Sequence, residues 1–214
     1  MPSDAIRTEG TIRFSFELRA PARGDSIATS LCARAESWCA ILRSLGLLGR
    51  DPRRYDGYAF GNVSLRDAAS PARFFITASQ TTDKPCSAPS AWTRIDQCDL
   101  VRFSVVATGA SAPSSETLTH AAIYAADPAI GWIFHAHAPT IWHSAERLGL
   151  ATIAADVPYG SLALAAAVAR LAATRRERPL LFATLGHEDG VFACGADADG
   201  TAGALVAALA SANR

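Results

Sequence analysis

The chain has 214 residues, half of them hydrophobic, and a formal net charge of zero. This composition predicts a folded protein with an ample core, and the absence of a basic stripe or acidic tail argues against nucleic acid or a membrane surface as its partner. The polar N-terminal residues 1–10 lack the apolar core of a signal peptide. The five cysteines are odd in number and form no C-x-x-C pair. We therefore expect free thiols and a cytoplasmic protein.

The predicted elements mix strands and helices without strict alternation. Residues 11–19 alternate apolar and polar side chains, which predicts a half-buried strand, and residues 26–48 carry a helical apolar stripe that begins near Asp25 or Ser26 and ends near Gly46 or Gly49. Further strands are predicted at 58–66, 72–77, 100–106, 129–137, 180–185 and 190–194, and further helices at 113–126, 139–148, 159–174 and 197–213. No linker or repeat divides the chain. We expect one α/β domain with a mixed or largely antiparallel sheet covered by helices.

The most informative motif is a His-x-His pair at positions 135 and 137, at the end of an apolar run. Side chains alternate faces along a strand, so His135 and His137 should point the same way. Two neighbouring imidazoles can share a divalent metal ion, and a third ligand from elsewhere would complete an open catalytic site. The alternative is a pair of hydrogen-bonded core histidines. The spacing of the two histidines, at the end of a strand and just before Pro139, favours metal binding over this alternative.

A third ligand must come from the remaining histidines. His143 lies on a short helix near Arg147 and is expected at the surface. His187 lies in a turn between two predicted strands, where the backbone can aim it at the end of a sheet, so we favour His187. His120 follows Glu116 by one helical turn and shares its face, which makes it the second candidate.

Glu116 is the carboxylate we favour for proton transfer, because a partly desolvated acid beside a metal can have a pKa near the working pH. The alternative is a solvated acid that only stabilises the helix dipole. Short Gly, Ser and Thr segments nearby can bind an anion through backbone amides and hydroxyls. These anion-binding candidates are Gly61, Asn62, Thr77, Ser79, Ser114 and Ser115.

Five motifs, in order, resemble those of the class II aldolase/adducin family. They are FGNVSLR at 60–66, ITASQ at 76–80, PSSE at 113–116 followed by His120 and Tyr124, HAH at 135–137, and LGHEDG at 185–190. Order and spacing match over about residues 30–210. The resemblance implies a three-layer α/β/α sandwich with a mixed, mostly antiparallel central sheet. It also implies one domain over residues 1–214, with 1–25 as an N-terminal strand extension, and a homotetramer.

The same resemblance implies the roles of the candidate residues. Zn²⁺, or another divalent ion such as Mn²⁺ or Co²⁺, would be bound by His135, His137 and His187, and Glu116 would be the catalytic acid/base. The substrate phosphate of sugar-phosphate members would be held at Gly61, Asn62, Thr77, Ser79, Ser114 and Ser115. The implied activity is that of a metal-dependent lyase on a small hydroxycarbonyl compound, by aldol cleavage, dehydration or decarboxylation through a metal-stabilised enediolate.

Three alternatives stay open. The chain could be a non-catalytic, adducin-like interaction module, an epimerase acting on a sugar phosphate, or a metal hydrolase that uses the same ligands. Retention of the three histidines and of Glu116 argues against the module, because a scaffold needs no open metal site. Tyr159 is a candidate stand-in for the tyrosine that a neighbouring subunit supplies as proton donor in sugar-phosphate aldolases.

The chain also departs from the family motifs. Ala78 and Gln80 replace the Pro and Gly of the phosphate loop, and Gln80 adds bulk where a backbone would approach phosphate. Glu188 and Asp189 add two acids after His187. We therefore predict that phosphate binds poorly and that an unphosphorylated hydroxycarbonyl or carboxylate compound is preferred.

Overall fold

The computed structural model describes residues 10–22, 29–88 and 90–214. Its strands are β1 (Ser15–Arg19), β2 (Gly49–Arg50), β3 (Ala59–Phe60), β4 (Asn62–Arg66), β5 (Phe74–Thr77), β6 (Trp92–Asp99), β7 (Ser104–Gly109), β8 (Trp132–His137), β9 (Ala151–Ile153), β10 (Leu180–Thr184) and β11 (Gly190–Gly195). Its helices are α1 (Thr29–Ser44), α2 (Thr117–Ala126), α3 (Pro139–His143), α4 (Leu162–Thr174) and α5 (Ala198–Ala212), and Tyr55–Gly57 form one 3-10 turn.

Nine of the strands form one mixed sheet in the order β1-β7-β6-β5-β4-β8-β11-β10-β9. The outermost pairs, β1 with β7 and β9 with β10, are parallel. Every other neighbouring pair in this sheet is antiparallel. Strands β2 and β3 pair separately. The predicted α/β fold with a mixed, mostly antiparallel sheet is confirmed.

Helices cover both faces of the sheet. One core packs α2 and α4 against the sheet, and the other packs α1, α3 and α5 against its opposite face. Strand β8 lies inside the sheet between β4 and β11, and every residue of it is buried. Ile133 belongs to the α2/α4 core, whereas Phe134 and Ala136 belong to the other. Side chains alternate faces along a strand, so His135 and His137 share the face of Ile133. This is the face that α2 and α4 cover.

The strand predicted at 100–106 is wrong in position. Strand β6 precedes it, residues 100–103 form the turn, and β7 begins at Ser104. Asp99 stabilises this turn, because its Oδ1 accepts hydrogen bonds from the backbone N–H groups of Val101 and Arg102. The short strand β9 was also missed, since three residues carry no measurable periodicity.

Two apolar stripes are more exposed than predicted. Strand β1 lies at the sheet edge, and all its residues are exposed, including Phe16 and Leu18. On α1 the buried residues are Ala35, Cys39 and Leu42, while Ile41 on the helix and Leu45 just after it are exposed. The helix ends at Ser44, and its predicted start at Asp25 or Ser26 lies outside the described residues.

The five cysteines are free thiols, as predicted. Among the described residues, no helix is both long and apolar enough to cross a bilayer.

Candidate metal and catalytic site

Three buried histidines meet at one end of the sheet. One ring nitrogen each of His135, His137 and His187 lies within 4.8 Å of the other two. His135 and His137 end β8, and His187 lies in the turn between β10 and β11. Antiparallel pairing aligns Gly190, at the start of β11, with His137, which brings that turn beside the end of β8. The structure thus brings together the three side chains that the motif analysis selected.

The surroundings of His135 fix its position. Asn62 of β4 and Phe192 of β11 lie opposite it in register, and its ring stacks on Phe192 with the centroids 4.2 Å apart. The preceding Gly61 has φ +71°, and a Cβ there would lie 2.9 Å from the His135 carbonyl oxygen and 2.7 Å from Leu48 Cβ. Only glycine allows this left-handed turn to pass so close to His135.

The imidazoles of His135 and His137 are held in the neutral form, which is the form that can bind a metal. Burial lowers the pKa of His135 to about 3, and burial with the nearby His187 and His135 holds the pKa of His137 well below its ordinary value. These rings are therefore neutral near pH 7. The ring nitrogens of His135 are buried and make no hydrogen bond of ordinary geometry to the described residues. Buried donors and acceptors need partners, and a divalent ion would supply one to neutral imidazoles.

Glu116 lies beside this cluster, at the residue before α2. Its side chain is 1% exposed, and its Oε1 lies 3.3 Å from His187 Nδ1. Burial opposes ionisation of the carboxyl, but the interaction with His187, aided by the neighbouring His135, outweighs burial and lowers the pKa of Glu116. Glu116 is thus not the solvated helix-start acid of the alternative interpretation. It is a buried carboxylate that faces the histidines.

The other candidate side chains lie in different places: one packs in the core, one is at the surface and one is at the site. His120 is buried and hydrogen-bonds through Nδ1 to Ser64 Oγ at 2.7 Å, and Ser64 also bonds Tyr124, so His120 takes part in the packing of α2 on the sheet. His143 is exposed, as predicted. Tyr159 packs its ring 4.4 Å from the His187 ring, which places it at the site.

Five of the six anion-binding candidates line one cavity of about 20 Å³. They are Gly61, Asn62, Ser79, Ser114 and Ser115. The sixth, Thr77, lies in β5, where its hydroxyl accepts a hydrogen bond from the backbone N–H of Val63 at 3.1 Å. A cavity of this size admits about one water molecule.

Gln80 forms part of the wall of this cavity. Its Oε1 accepts from the backbone N–H of Ala59 at 2.8 Å, and its Nε2 donates to the Ala59 carbonyl at 3.2 Å. The side-chain amide therefore pairs with Ala59 as a neighbouring strand would. Gln80 itself has φ +60°, a backbone conformation that favours glycine.

Arg54 and Tyr55 were not predicted to belong to the site. Tyr55 Oη donates to Asp189 Oδ2 at 2.5 Å, and Arg54 Nη2 lies 3.9 Å from the same oxygen. The charge of Asp189 is thus paired rather than directed at a substrate, which weakens one argument against anionic substrates. The only local signal was the Asp56-Gly57 turn dipeptide, which says nothing about a partner 134 positions away.

A family model described as "Class II Aldolase and Adducin N-terminal domain" matches residues 46–213. The chain belongs to this family. The matched segment contains the three histidines, Glu116 and all six anion-binding candidates. No curated protein sequence matches the chain.

Solved structures of the same fold include several aldolases. An L-fuculose-1-phosphate aldolase from Thermus thermophilus is 18% identical, with a TM-score of 0.64 over 87% of this chain and 92% of that one. A sugar-phosphate aldolase from Thermotoga maritima is 15% identical, with a TM-score of 0.64 over 86% and 93%. An aldolase II superfamily protein from Pseudomonas syringae is 16% identical, with a TM-score of 0.57 over 87% and 75%. At such identities the likeness establishes the fold.

Proposed function

We propose that the protein is a divalent-metal-dependent lyase acting on a small hydroxycarbonyl compound. One observation carries the proposal: a buried carboxylate, Glu116, lies 3.3 Å from one of three histidines whose donor nitrogens converge within 4.8 Å. Membership of the class II aldolase and adducin family, and structural similarity to the L-fuculose-1-phosphate aldolase from Thermus thermophilus, support a lyase.

His135, His137 and His187 would hold the ion. Three imidazoles with further positions open are a donor set that zinc uses in catalysis, and Mn²⁺ or Co²⁺ fits as well. When bound, such an ion supplies Lewis-acid polarisation of a substrate carbonyl.

Glu116 would be the acid/base. Its pKa is lowered, so the carboxylate is ionised near neutral pH and ready to accept a proton. In aldol cleavage, Glu116 accepts the proton of the substrate hydroxyl, the carbon–carbon bond beside that hydroxyl breaks, and the electron pair of the bond passes towards the carbonyl. The contact with His187 orients the carboxylate, and burial keeps water from competing for the proton.

The remaining candidates would bind the substrate. Asn62 is paired in register with His135, and Ser115 directly precedes Glu116, so the cavity lined by Gly61, Ser79 and Ser114 adjoins the histidines. Its hydroxyl and amide groups suit a hydroxyl or carboxylate of the substrate. Thr77 would act indirectly, by holding the start of β4.

A substrate screen tests the proposal. Metal-loaded protein is offered phosphorylated and unphosphorylated hydroxy-aldehydes, ketoses and hydroxy acids, with E116Q as the matched inactive control. Turnover of at least one hydroxycarbonyl compound by wild type alone is expected. Hydrolysis of esters or amides with no action on hydroxycarbonyl compounds would contradict the lyase and favour a metal hydrolase.

We also propose one domain over residues 1–214 and a homotetramer. Family membership supports both. Light scattering that gives a mass of one chain in solution would contradict the tetramer.

A further inference from the structure

Three residues outside the predicted site form a clamp around His137, named here the Arg54–Tyr55–Asp189 clamp. Tyr55 Oη donates to Asp189 Oδ2 at 2.5 Å and accepts from Arg54 Nη2 at 2.7 Å. Hydrogen bonds to charged groups are the strong ones, and this hydroxyl lies between a guanidinium and a carboxylate. One phenol oxygen thus joins two segments that are 134 positions apart in the sequence.

The clamp contacts both segments that carry the histidines. The Tyr55 ring lies edge-on to the His137 ring, with centroids 4.7 Å apart and an interplanar angle of 77°. Arg54 Nη2 also donates to the His137 carbonyl at 3.2 Å. The Asp189 carbonyl accepts from the backbone N–H of Ala138 at 2.8 Å, and Asp189 itself follows His187 by two residues. The clamp therefore holds the ring and backbone of His137 and the turn of His187.

The backbone at both ends of the clamp is strained. Tyr55 has φ +49°, Asp56 φ +55° and Asp189 φ +62°, all in the left-handed region that favours glycine. A bulky residue such as tyrosine rarely adopts it. Residues held in such conformations persist where their surroundings over-determine them, and they cluster at functional sites. Here the strain lies at the two residues whose side chains share the hydrogen bond, next to two candidate metal ligands.

We propose that the Arg54–Tyr55–Asp189 clamp positions His137 and His187 for the metal ion, so that metal affinity depends on the Tyr55 hydroxyl. The proposal rests on the metal site of the proposed function. The Tyr55 ring limits rotation of the His137 imidazole, and the bond to Asp189 fixes the turn that carries His187. Tyr55 hydrogen-bonds to the Asp189 carboxylate and Arg54 pairs with its charge. These contacts keep Asp189 from replacing a histidine as a ligand of the ion. All three are positioning residues.

Co²⁺ binding to the metal-free protein tests the clamp. Y55F removes only the hydroxyl and keeps the ring against His137. Loss of a group that orients a metal ligand typically weakens binding by about 10- to 100-fold, so we expect at least a tenfold rise in the Co²⁺ dissociation constant, measured by chelator competition. The visible absorption of bound Co²⁺ should change as well. D189N keeps the shape and one acceptor but loses the charge, and should show a smaller rise.

The matched control is Y58F, which removes the hydroxyl of an exposed tyrosine three residues away. It should leave both the affinity and the Co²⁺ spectrum unchanged. Circular dichroism of each metal-free variant checks folding, and D189N decides the outcome if Y55F does not fold. Wild-type affinity and spectrum in folded Y55F and D189N would overturn the clamp.

The Co²⁺ measurement tests the clamp separately from the proposed lyase activity. Weakened Co²⁺ binding in Y55F, with no turnover of any hydroxycarbonyl by wild type, would refute the lyase and support the clamp. Turnover by wild type, with unchanged metal affinity in folded Y55F and D189N, would refute the clamp alone. Failure of wild type to bind a divalent ion would overturn the metal site and the clamp together.

Discussion

Oε1 of Glu116 lies 3.3 Å from Nδ1 of His187, and both side chains are buried. The carboxylate comes from the start of α2 and the imidazole from the turn before β11, so the contact joins a helix to the sheet that it covers. A metal-ligating histidine that pairs its second nitrogen with a carboxylate is fixed in orientation and made a better donor. Glu116 thus has two tasks in the proposed site, to orient His187 and to move a proton.

Replacement of Glu116 by glutamine should separate these tasks. E116Q retains the shape and a hydrogen bond to His187 but cannot accept a proton. We expect the variant to keep its metal and to lose about 10²-fold or more in turnover, measured with the substrate found in the screen. Near-normal turnover would leave Glu116 with an orienting role only.

Removal of a histidine ligand should remove the metal. We expect about one divalent ion per chain in the purified protein and loss of that ion in H137A, measured by elemental analysis. H143A, which changes an exposed histidine, is the matched control and should keep the ion. Full occupancy in the H135A/H137A double variant would refute the assignment.

Substitution of Gly61 by alanine tests how closely the β3–β4 turn approaches His135. In G61A the new Cβ would meet the His135 carbonyl oxygen at 2.9 Å and Leu48 Cβ at 2.7 Å, so we expect a large loss of stability and of metal affinity. G149A separates the clash from backbone strain, because Gly149 has a similar φ of +66° with nothing within 4 Å. That control should cost only about 1 kcal/mol. Equal unfolding free energies of the two variants in urea would contradict the tight approach.

Acid should destabilise the metal-free protein through its buried histidines. Burial lowers the pKa of His120 and of His135 to about 3, against an ordinary value of 6.5. Below about pH 6.5 the unfolded chain therefore binds protons that the folded chain does not. Stability is full above the unfolded pKa and falls as pH drops towards 3, by at most about 1.4 kcal/mol per pH unit for each histidine.

Urea unfolding between pH 5 and 6.5, with a chelator present, measures this slope. In this range the carboxylates of the unfolded chain are largely ionised and contribute little. H120Q removes one buried site and should reduce the slope by about one proton at the low end of the range. An unchanged slope in H120Q would show that this histidine is not buried in its neutral form.

Phosphate should bind poorly. The cavity that its loops would provide measures about 20 Å³, and Gln80 lines it with its amide bound to Ala59. Calorimetry with inorganic phosphate should show weak or no binding to wild type. Q80G removes this side chain without adding backbone strain, because Gln80 already has φ +60°, and should bind phosphate more tightly. A wild-type crystal with phosphate held by Asn62, Ser79 and Ser114 would contradict this prediction.

The fold could be predicted where burial follows the apolar pattern. Strand β8 is a continuous apolar run closed by two histidines, and all its residues are buried. Strand β6 was not predicted from the sequence, because its charged side chains pair with neighbouring residues in the sheet rather than with solvent. Arg94 Nε donates to Asp96 Oδ1 at 2.7 Å, and Thr108 Oγ1 of the neighbouring strand donates to Asp96 Oδ2 at 2.6 Å. Such pairs let polar residues lie in a strand that the hydrophobic pattern does not reveal.

Some residues of the candidate site could likewise be predicted from the sequence, and others could not. His135, His137, His187 and Glu116 could be selected because imidazoles can bind metal ions and carboxylates can transfer protons, and because these residues occur at recognisable spacings. Tyr55 could not, since its role depends on a left-handed backbone and on a partner from the opposite end of the chain. Contacts of this kind are set by tertiary structure and leave no periodic trace in the sequence.

The position of β8 between β4 and β11 has a consequence for biosynthesis. β8 pairs on one side with β4, which precedes it along the chain, and on the other with β11, which follows it by more than fifty residues. While the chain is being made, the first edge of β8 can be covered at once, but the second stays open until residues 190–195 leave the ribosome. An uncovered apolar strand edge is a template for aggregation. Between these two events the nascent chain therefore carries one unpaired edge of β8.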